Sequence, residues 1–217
     1  MWLRSWAMLV FVATSVGCLA GKTTSTVYIE TDDSISWTIL ETDVRSNADE
    51  AAMRERQERE FIRAAKRGEH DTVGGFDLLA PDEVDTVILR DERPFSVATT
   101  ARFRSLERLA RTVLDVLEVG GQVRIETTDE LTRLEVEIDL PEADRQTAAG
   151  DEGSAAGESW FEELEIVVAD GRFVESRGFV QAADDRVRFA ASDELLRMAA
   201  AADGRLVLSL AWTHDAR

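Results

Sequence analysis

Apolar and polar residues alternate with a period of two along much of the chain, as in strands that bury one face. The alternating segments come in pairs, and each pair is joined by a short stretch of turn-forming residues. Because a short turn forces the strands it joins to run antiparallel, the pattern predicts hairpins. Three of them are Val27 to Glu30 with Ile35 to Glu41, Val84 to Leu89 with Phe95 to Phe103, and Val123 to Thr127 with Leu131 to Leu140.

The last third of the chain continues the strand pattern. Asp170-Gly171 is the strongest short hairpin signal in the sequence, and it lies between the strand-like segments Phe161 to Val168 and Arg172 to Val180. A short strand over Arg186 to Ala190 and a final strand from Leu206 to Trp212 follow. These segments extend the predicted series of antiparallel pairs.

A period of three to four residues predicts helices in three places. The first runs from Asn47 to Arg67, where Asn47 and Glu50 resemble a capping box and Gly68 suits a left-handed C-cap. The second begins after Ser105 and carries the most regular apolar stripe of the chain. The third runs from Ser192 to Ala202.

This order of elements predicts an α+β fold: a mainly antiparallel sheet built from consecutive hairpins, with about three helices packed on one face. We expect one domain over residues 26–214. Residues 142–159 have no apolar side chain larger than alanine, so we expect a flexible and dispensable loop there. The alternative is that this loop separates two lobes, Thr24 to Leu140 and Trp160 to His214.

The composition is that of a globular protein, and its charge limits the partners. Hydrophobic residues make up 44% of the 217 residues and charged residues 31%, which excludes disorder of the whole chain. The formal net charge of −18 repels phosphate backbones and anionic lipids, so we expect no nucleic-acid partner. Since the chain has one cysteine, its fold must be stable without an internal disulfide.

The first residues have the pattern of a secretory signal. A single positive charge at Arg4 precedes an uncharged apolar run from Trp6 through Ala13, and small residues follow. The run is too short to be a convincing membrane span. We therefore interpret residues 1–17 as a signal peptide.

The end of this signal, Ser15-Val16-Gly17-Cys18, resembles the lipobox of bacterial lipoproteins. The resemblance covers the signal alone, and it implies that Cys18 is acylated, becomes the first residue of the mature chain and anchors it to a membrane of the cell envelope, facing the periplasm or the exterior. Residues 18–25 then serve as lipidated cysteine and tether, and Leu19 after the cysteine leaves inner against outer membrane open. Two alternatives are a soluble secreted protein cleaved after Ala20 and an uncleaved anchor.

The common catalytic motifs are missing from the sequence. There is no G-x-S-x-G, G-x-G-x-x-G, phosphate-binding Gly-Lys loop or H-E-x-x-H, and we predict no metal and no cofactor beyond the lipid on Cys18. The two histidines, His70 and His214, are expected to be solvated, in a turn and in a frayed C-terminus. The acidic pairs Asp32-Asp33 and Asp184-Asp185 are interpreted as turn formers. The three tryptophans after the signal are expected in the core: Trp37, Trp160 and Trp212.

The outward faces of three strands predict where a partner binds. They carry small neutral side chains on an otherwise acidic protein, and such a surface is inexpensive to desolvate if the strands are neighbours. The expected interaction face comprises Ser36, Thr38, Ser96, Ala98, Thr100, Ser209, Ala211 and Thr213. The hypothesis is a non-catalytic module that binds a protein or a small ligand, and the alternative is an envelope hydrolase that uses carboxylates as acid and base.

Overall fold

The structure is a computed structural model, and it describes residues 19–128, 130–139, 164–190, 194–195, 198–199, 202 and 204–214. The pairings with a defined register are all antiparallel. The expected α+β class and mainly antiparallel pairing are therefore confirmed, although the described strands form two sheets rather than one. In chain order the elements are β1 (Leu19–Ile29), β2 (Ile35–Ser46), α1 (Ala51–Arg67), α2 (Asp71–Asp77), β3 (Glu83–Arg90), β4 (Phe95–Phe103), α3 (Leu106–Val116), β5 (Gly120–Thr127), β6 (Thr132–Asp139), β7 (Leu164–Val168), β8 (Gly171–Arg177), β9 (Phe179–Ala183), β10 (Arg186–Phe189) and β11 (Arg205–His214).

The described residues contain two helices longer than ten residues, α1 and α3, where about three were expected. A third, α2, has only seven residues. The predicted helix from Ser192 to Ala202 falls largely outside the described residues, as do the loop at 142–159 and Trp160. How the helices are arranged on one face therefore stays a prediction.

Two of the three helix caps predicted from the sequence are present in the structure. Gly68 adopts the left-handed conformation with φ 65° at the end of α1, and the Ser105 hydroxyl accepts a hydrogen bond from the Arg108 amide at the start of α3. The capping box at Asn47 is wrong, because α1 begins after Glu50 and has no side-chain cap. The Ser46 hydroxyl instead accepts from the amide of Ala48 within the preceding turn.

The chain divides into two compact units. The described residues of unit 1 are 19–26 and 36–103, and those of unit 2 are 27–35 together with those from residue 104 onward. The hairpin β1–β2 contributes to both, since its turn end belongs to unit 2. Whether the chain is one domain or two lobes stays a prediction.

Unit 1 holds a sheet in the order β3-β4-β2-β1, with α1 and α2. Its inner face carries Trp37 of β2 and Val97 of β4, both buried. Phe76 of α2 packs edge-on against Trp37, with ring centroids 5.7 Å apart, which places α2 on the inner face. Asp43 of β2 has a positive φ of 55°, and the alternation of buried residues changes phase there.

Unit 2 holds the four-stranded sheet β5-β6-β11-β8 and the strands β7, β10 and β9. The helix α3 packs on β5 and β6 and buries Leu109 and Leu114. The turn end of the first hairpin is fixed here, since the amide of Ala169 donates to the carbonyl of Ile29 over 2.8 Å. The final strand β11 lies between β6 and β8 and buries Trp212 almost completely, at 1% exposure.

The predicted hairpin at Asp170-Gly171 is wrong. The turn is present, but β7 pairs with β10 whereas β8 pairs with β11 in the other sheet. A Cβ on Gly171 would lie 2.3 Å from the carbonyl oxygen of Thr213, so glycine is needed for the backbone of β8 to approach β11. The turn therefore redirects the chain from one sheet to another.

The tether expected over Lys22 to Ser25 is part of strand β1 in the structure. A Cβ on Gly21 would lie 3.0 Å from the carbonyl oxygen of Thr42, which shows how closely β1 approaches β2. Threonine-rich segments suit strands because a branched Cβ packs well on a pleated surface. This segment has no large apolar residues because the strand is exposed there, not because it is unstructured.

Candidate functional site

The predicted interaction face is partly assembled in unit 1. Strands β2 and β4 are neighbours, and the hydroxyls of Thr38 and Thr100 lie 2.9 Å apart. Ser36, Ser96 and Ala98 are half-buried, as are the two threonines. These five residues lie on the face opposite Trp37 and Val97, which we call the outer face of unit 1.

Strand β3 extends the outer face with residues that the sequence reading did not include. Val87 of β3 is directly opposite Ala98, so the two side chains share a face. Val87 is 49% exposed, and Leu89 on the same strand is 59% exposed. At one end of the face, Arg102 forms an ion pair with Glu83 over 3.3 Å. Asp85 of β3, which is exposed and directly opposite Thr100, lies on the same face, so the neutral part of the face is limited to the region around Val87, Ala98 and Thr38.

The remaining predicted residues lie on β11 in the other sheet, so β11 is not a neighbour of β2 and β4. Ala211 has no exposed surface and Ser209 is buried at 4%. The Ser209 hydroxyl donates to a carboxylate oxygen of Glu175 over 3.0 Å. Thr213 is half-buried. Because β11 is central in its sheet, its small side chains serve packing.

A buried polar cluster lies on the inner face of unit 1, and three elements build it. Glu41 comes from β2, Thr99 from β4, and His70 from the residue immediately before α2. The Nε2 atom of His70 is 2.9 Å from the Thr99 hydroxyl and 3.7 Å from a carboxylate oxygen of Glu41. Thr72 of α2 donates its hydroxyl hydrogen to the same oxygen of Glu41 over 3.0 Å.

The cluster is sealed except at Glu41. His70 is 5% exposed and Thr99 is fully buried, whereas the side chain of Glu41 keeps 21% of its surface. The expectation of a solvated His70 is therefore wrong. Phe61 of α1 contacts the imidazole edge-on, and α2, which begins at the next residue, is seated on the sheet by Phe76 against Trp37.

Burial shifts both titratable groups toward their neutral forms. Burial raises the pKa of the Glu41 carboxyl. The hydrogen bond from Thr72 lowers this pKa, whereas the nearby negative charge of Asp71 raises it further. Burial lowers the pKa of His70, although Asp71 acts in the opposite direction. The Nδ1 atom of His70 is buried without a hydrogen-bond partner among the described residues. Adding a proton to either group therefore changes the electrostatic free energy of this buried cluster.

The sequence contained a signal for this cluster. Glu41 continues the alternation of Ile35 and Trp37, which places a carboxylate on an otherwise apolar face. Thr99 continues the alternation of Val97 and Ala101 in the same way. An acidic residue at an inward position predicts a buried partner, but the partner's identity depends on tertiary contacts between separate elements.

His214, the second histidine, belongs to β11 and is not frayed. Its Nδ1 atom is 3.0 Å from the carbonyl oxygen of Ala169, and its Nε2 atom is 3.6 Å from a carboxylate oxygen of Asp33. Asp32 in the same turn accepts hydrogen bonds from the amide and hydroxyl of Ser34, as expected of a turn former. The core positions of Trp37 and Trp212 are confirmed.

The described residues contain no group of three or more His, Cys, Asp or Glu side chains arranged to hold a metal ion. Cys18 lies outside the described residues. Among the residues with described structure, no helix is long and apolar enough to cross a membrane.

Two of three comparisons with known proteins found no match. No family model matches the chain, and no curated protein matches it. Among solved structures, the chain is similar to the folded domain of LppM from Mycobacterium tuberculosis, determined by NMR. The two are 10% identical, the match covers 94% of this chain and 95% of that domain, and the TM-score is 0.36. At this level of similarity, we base no conclusion on the likeness.

Proposed function

We propose that this protein is a lipid-anchored protein of the bacterial cell envelope, and that its folded part is a binding module without catalytic activity. The anchor rests on the lipobox-like sequence that ends at Gly17-Cys18. The described part of β1 covers Leu19–Ile29. Cleavage after Ala20 would remove the first two residues of that strand, and this favours the lipoprotein over the secreted alternative.

The binding role rests on one observation, the neutral outer face of unit 1. Across β3, β4 and β2 this face carries Val87, Ala98, Thr100 and Thr38, and its charged residues, Asp85 and the Arg102–Glu83 pair, lie on β3 and at one end. Covering hydroxyl and methyl groups costs less free energy than covering charges. On a chain of net charge −18, this is where a protein or small ligand loses least on desolvation.

The alternative of a carboxylate hydrolase has less support. The one cluster in unit 1 that combines acid and base encloses His70 and Thr99 and presents only Glu41 toward solvent. Glycoside hydrolysis by the usual route needs two carboxyl groups on either side of a bound substrate. Glu41 and His70 can hold a proton between them, but the ring of His70 is sealed from a substrate.

Mass spectrometry of the mature N-terminus tests the anchor. We expect a mature chain that starts at Cys18 with fatty acyl groups, and a Cys18→Ala variant that leaves the membrane fraction. An unmodified Cys18 together with a membrane-bound variant would contradict the lipoprotein reading.

A matched pair of substitutions tests the binding face. Val87→Arg places a charge on the outer face, and Val180→Arg places the same charge on β9 at nearly equal exposure, 48% against 49%. After cross-linking in intact cells, we expect Val87→Arg to lose partners that Val180→Arg retains. If both variants retain the wild-type partners, the outer face is not the interface.

A further inference from the structure

Helix α2 is a short element of unit 1 that lies next to the polar cluster. It has seven residues, and its N-terminus has no side-chain cap. Gly74 on this helix has open space around the position of a Cβ. The recorded side-chain contacts of α2 and the residue before it are the packing of Phe76 on Trp37, the bond from Thr72 to Glu41, and the contacts of His70. Two of these three contacts involve the polar cluster.

Two carboxylates can compensate a positive charge on His70, and they differ in burial. The groups that face it from each element are Glu41 of β2, Thr99 of β4, Phe61 of α1, and Asp71 and Thr72 of α2. Among these, Glu41 is the buried carboxylate, at 3.7 Å, whereas Asp71 is exposed. A protonated imidazole has two N–H donors, and Nδ1 has no acceptor among the described residues.

One proton and two protons therefore have different consequences. With one proton on the pair, the site holds either two neutral groups or an imidazolium next to a carboxylate, and both arrangements are tolerated in the closed form. With two protons, an imidazolium lies beside a neutral carboxylic acid, and its Nδ1–H is unsatisfied. A buried charge without a partner costs several kcal/mol, so water must reach the ring.

We propose that α2 is an acid-opened latch: the second proton taken up by the Glu41–His70 pair lifts α2 from the inner face and uncovers Trp37 and Phe76. The direction follows from linkage. Burial lowers the pKa of His70 in the closed form below its ordinary value of 6.5. For His70 alone, the stability of the closed form is present above about 6.5 and is lost as the pH falls through the lowered pKa. The raised pKa of Glu41 acts in the opposite sense, because protonation of that carboxyl favours the closed form. The two effects oppose each other while the pair takes up its first proton, so the closed form is lost with the second proton, as the pH falls below about 4.5, the ordinary pKa of the Glu41 carboxyl.

Hydrogen exchange and histidine NMR on the full chain test the latch. The chain has two histidines, so a specifically labelled sample gives two imidazole signals that His214→Gln assigns. Between pH 7.5 and 3.5 we expect the exchange protection of the α2 amides, corrected for the intrinsic rate, to change little during the first protonation and then to fall by up to ~10-fold per pH unit, the limit for one proton. The fall should coincide with protonation of the His70 ring.

Two variants separate the roles of the pair, and His214→Gln is the control. His70→Gln cannot be protonated, so the fall in α2 protection should disappear. Glu41→Gln removes the carboxylate that compensates the imidazolium, so the fall should begin at a higher pH than in the wild type. His214→Gln should behave as the wild type.

Three results would overturn the latch. The first is α2 protection that does not change while the His70 ring titrates. The second is a fall in protection that persists in His70→Gln. The third is an onset in Glu41→Gln at the wild-type pH or below it. If His70→Gln does not fold, the first and third measurements decide.

Discussion

The two histidines of this chain occupy opposite kinds of site. His70 in unit 1 is enclosed by two strands and two helices, with its Nε2 atom shared between Thr99 and Glu41. His214 in unit 2 keeps 23% of its side-chain surface, and its partners are a backbone carbonyl and Asp33, which is 52% exposed. Histidine is part of a buried polar cluster in unit 1, whereas in unit 2 it contacts an exposed turn.

The difference shows how enclosure, rather than the number of polar partners, sets the cost of changing a polar group. Both rings have one hydrogen bond and one carboxylate within 4 Å. Each ring has one buried nitrogen without a hydrogen-bond partner among the described residues, Nδ1 of His70 and Nε2 of His214. Because Asp33 is 52% exposed, water can reach the carboxylate that faces His214, whereas a partner lost around His70 leaves a buried group unsatisfied. Substitutions at the two sites should therefore differ in how much they lower the free energy of unfolding, and the difference should depend on enclosure and pairing.

The largest effect is expected from removing the aromatic ring that packs α2, the helix directly after His70, against Trp37. Phe76→Ala should lower the free energy of unfolding by ~3–5 kcal/mol, because it empties the space between α2 and Trp37. Leu78→Ala, directly after the helix and at 57% exposure, is the matched control and should change it by less than ~0.5 kcal/mol. Urea denaturation measures both, and equal losses would show that α2 is not seated by Phe76.

The parts of the fold that the sequence predicted are those that local pattern decides. Alternation located Leu134 and Ile138 on the buried face of β6, and Gly68 marked the end of α1. Strand partners depend on distant residues, so the division of β7 and β8 between two sheets had no local signal. The central position of β11 was hidden for the same reason, since small neutral side chains occur both on open faces and in packed ones.

Only part of the buried cluster could be predicted from the sequence. The inward position of Glu41 could be read from the alternation of β2, but His70 lies in a turn, where no periodicity applies. Its burial depends on tertiary contacts, such as the packing of Phe61 of α1 against the ring. The structure places β2 and β4 side by side, as the predicted interaction face requires, whereas binding at this face stays a prediction.

A smaller effect is expected from removing the hydrogen-bond partner of His70. Thr99→Val keeps the shape of a side chain with no exposed surface but leaves both ring nitrogens of His70 without a close partner. We expect a loss of ~1–3 kcal/mol in the free energy of unfolding. The matched control is Thr100→Val on the outer face, where the half-buried hydroxyl pair with Thr38 should be worth ~1 kcal/mol or less. Equal losses would mean that enclosure does not decide the cost.

Glu41→Gln should raise stability, by less than the loss in Thr99→Val, and the gain should depend on pH. Because burial raises the pKa of Glu41 in the folded chain above its ordinary value of 4.5, the related stability is present below about 4.5 and lost as the pH rises through the raised pKa. Glutamine imitates the protonated carboxyl at every pH and can still accept from Thr72. The variant should therefore be more stable than the wild type at pH 8, with a gap that narrows toward pH 5.

Denaturation curves at pH 8, 6.5 and 5 measure this gap. The control is Glu55→Gln on α1, whose carboxylate is 71% exposed and pairs with Arg59. Its effect should be small at every pH. A Glu41→Gln variant that is less stable than the wild type at pH 8 would show that the carboxylate is needed in its charged form.

The smallest effect is expected at His214, and it completes the comparison. His214→Gln can still donate to the carbonyl of Ala169, and it gives up only a partly exposed pairing with Asp33. Such pairings contribute ~1 kcal/mol or less, so the free energy of unfolding should fall by no more than that at pH 7. Hydrogen exchange should change in the neighbouring turn, where the amide of Glu30 donates to the carbonyl of Ser34, and not in α2. His70→Gln, measured beside it, should cost more, because the sealed site offers no water to satisfy the Thr99 hydroxyl when the new side chain fits imperfectly. If the two variants lose the same stability, the burial of His70 has no energetic consequence and the contrast between the two units fails.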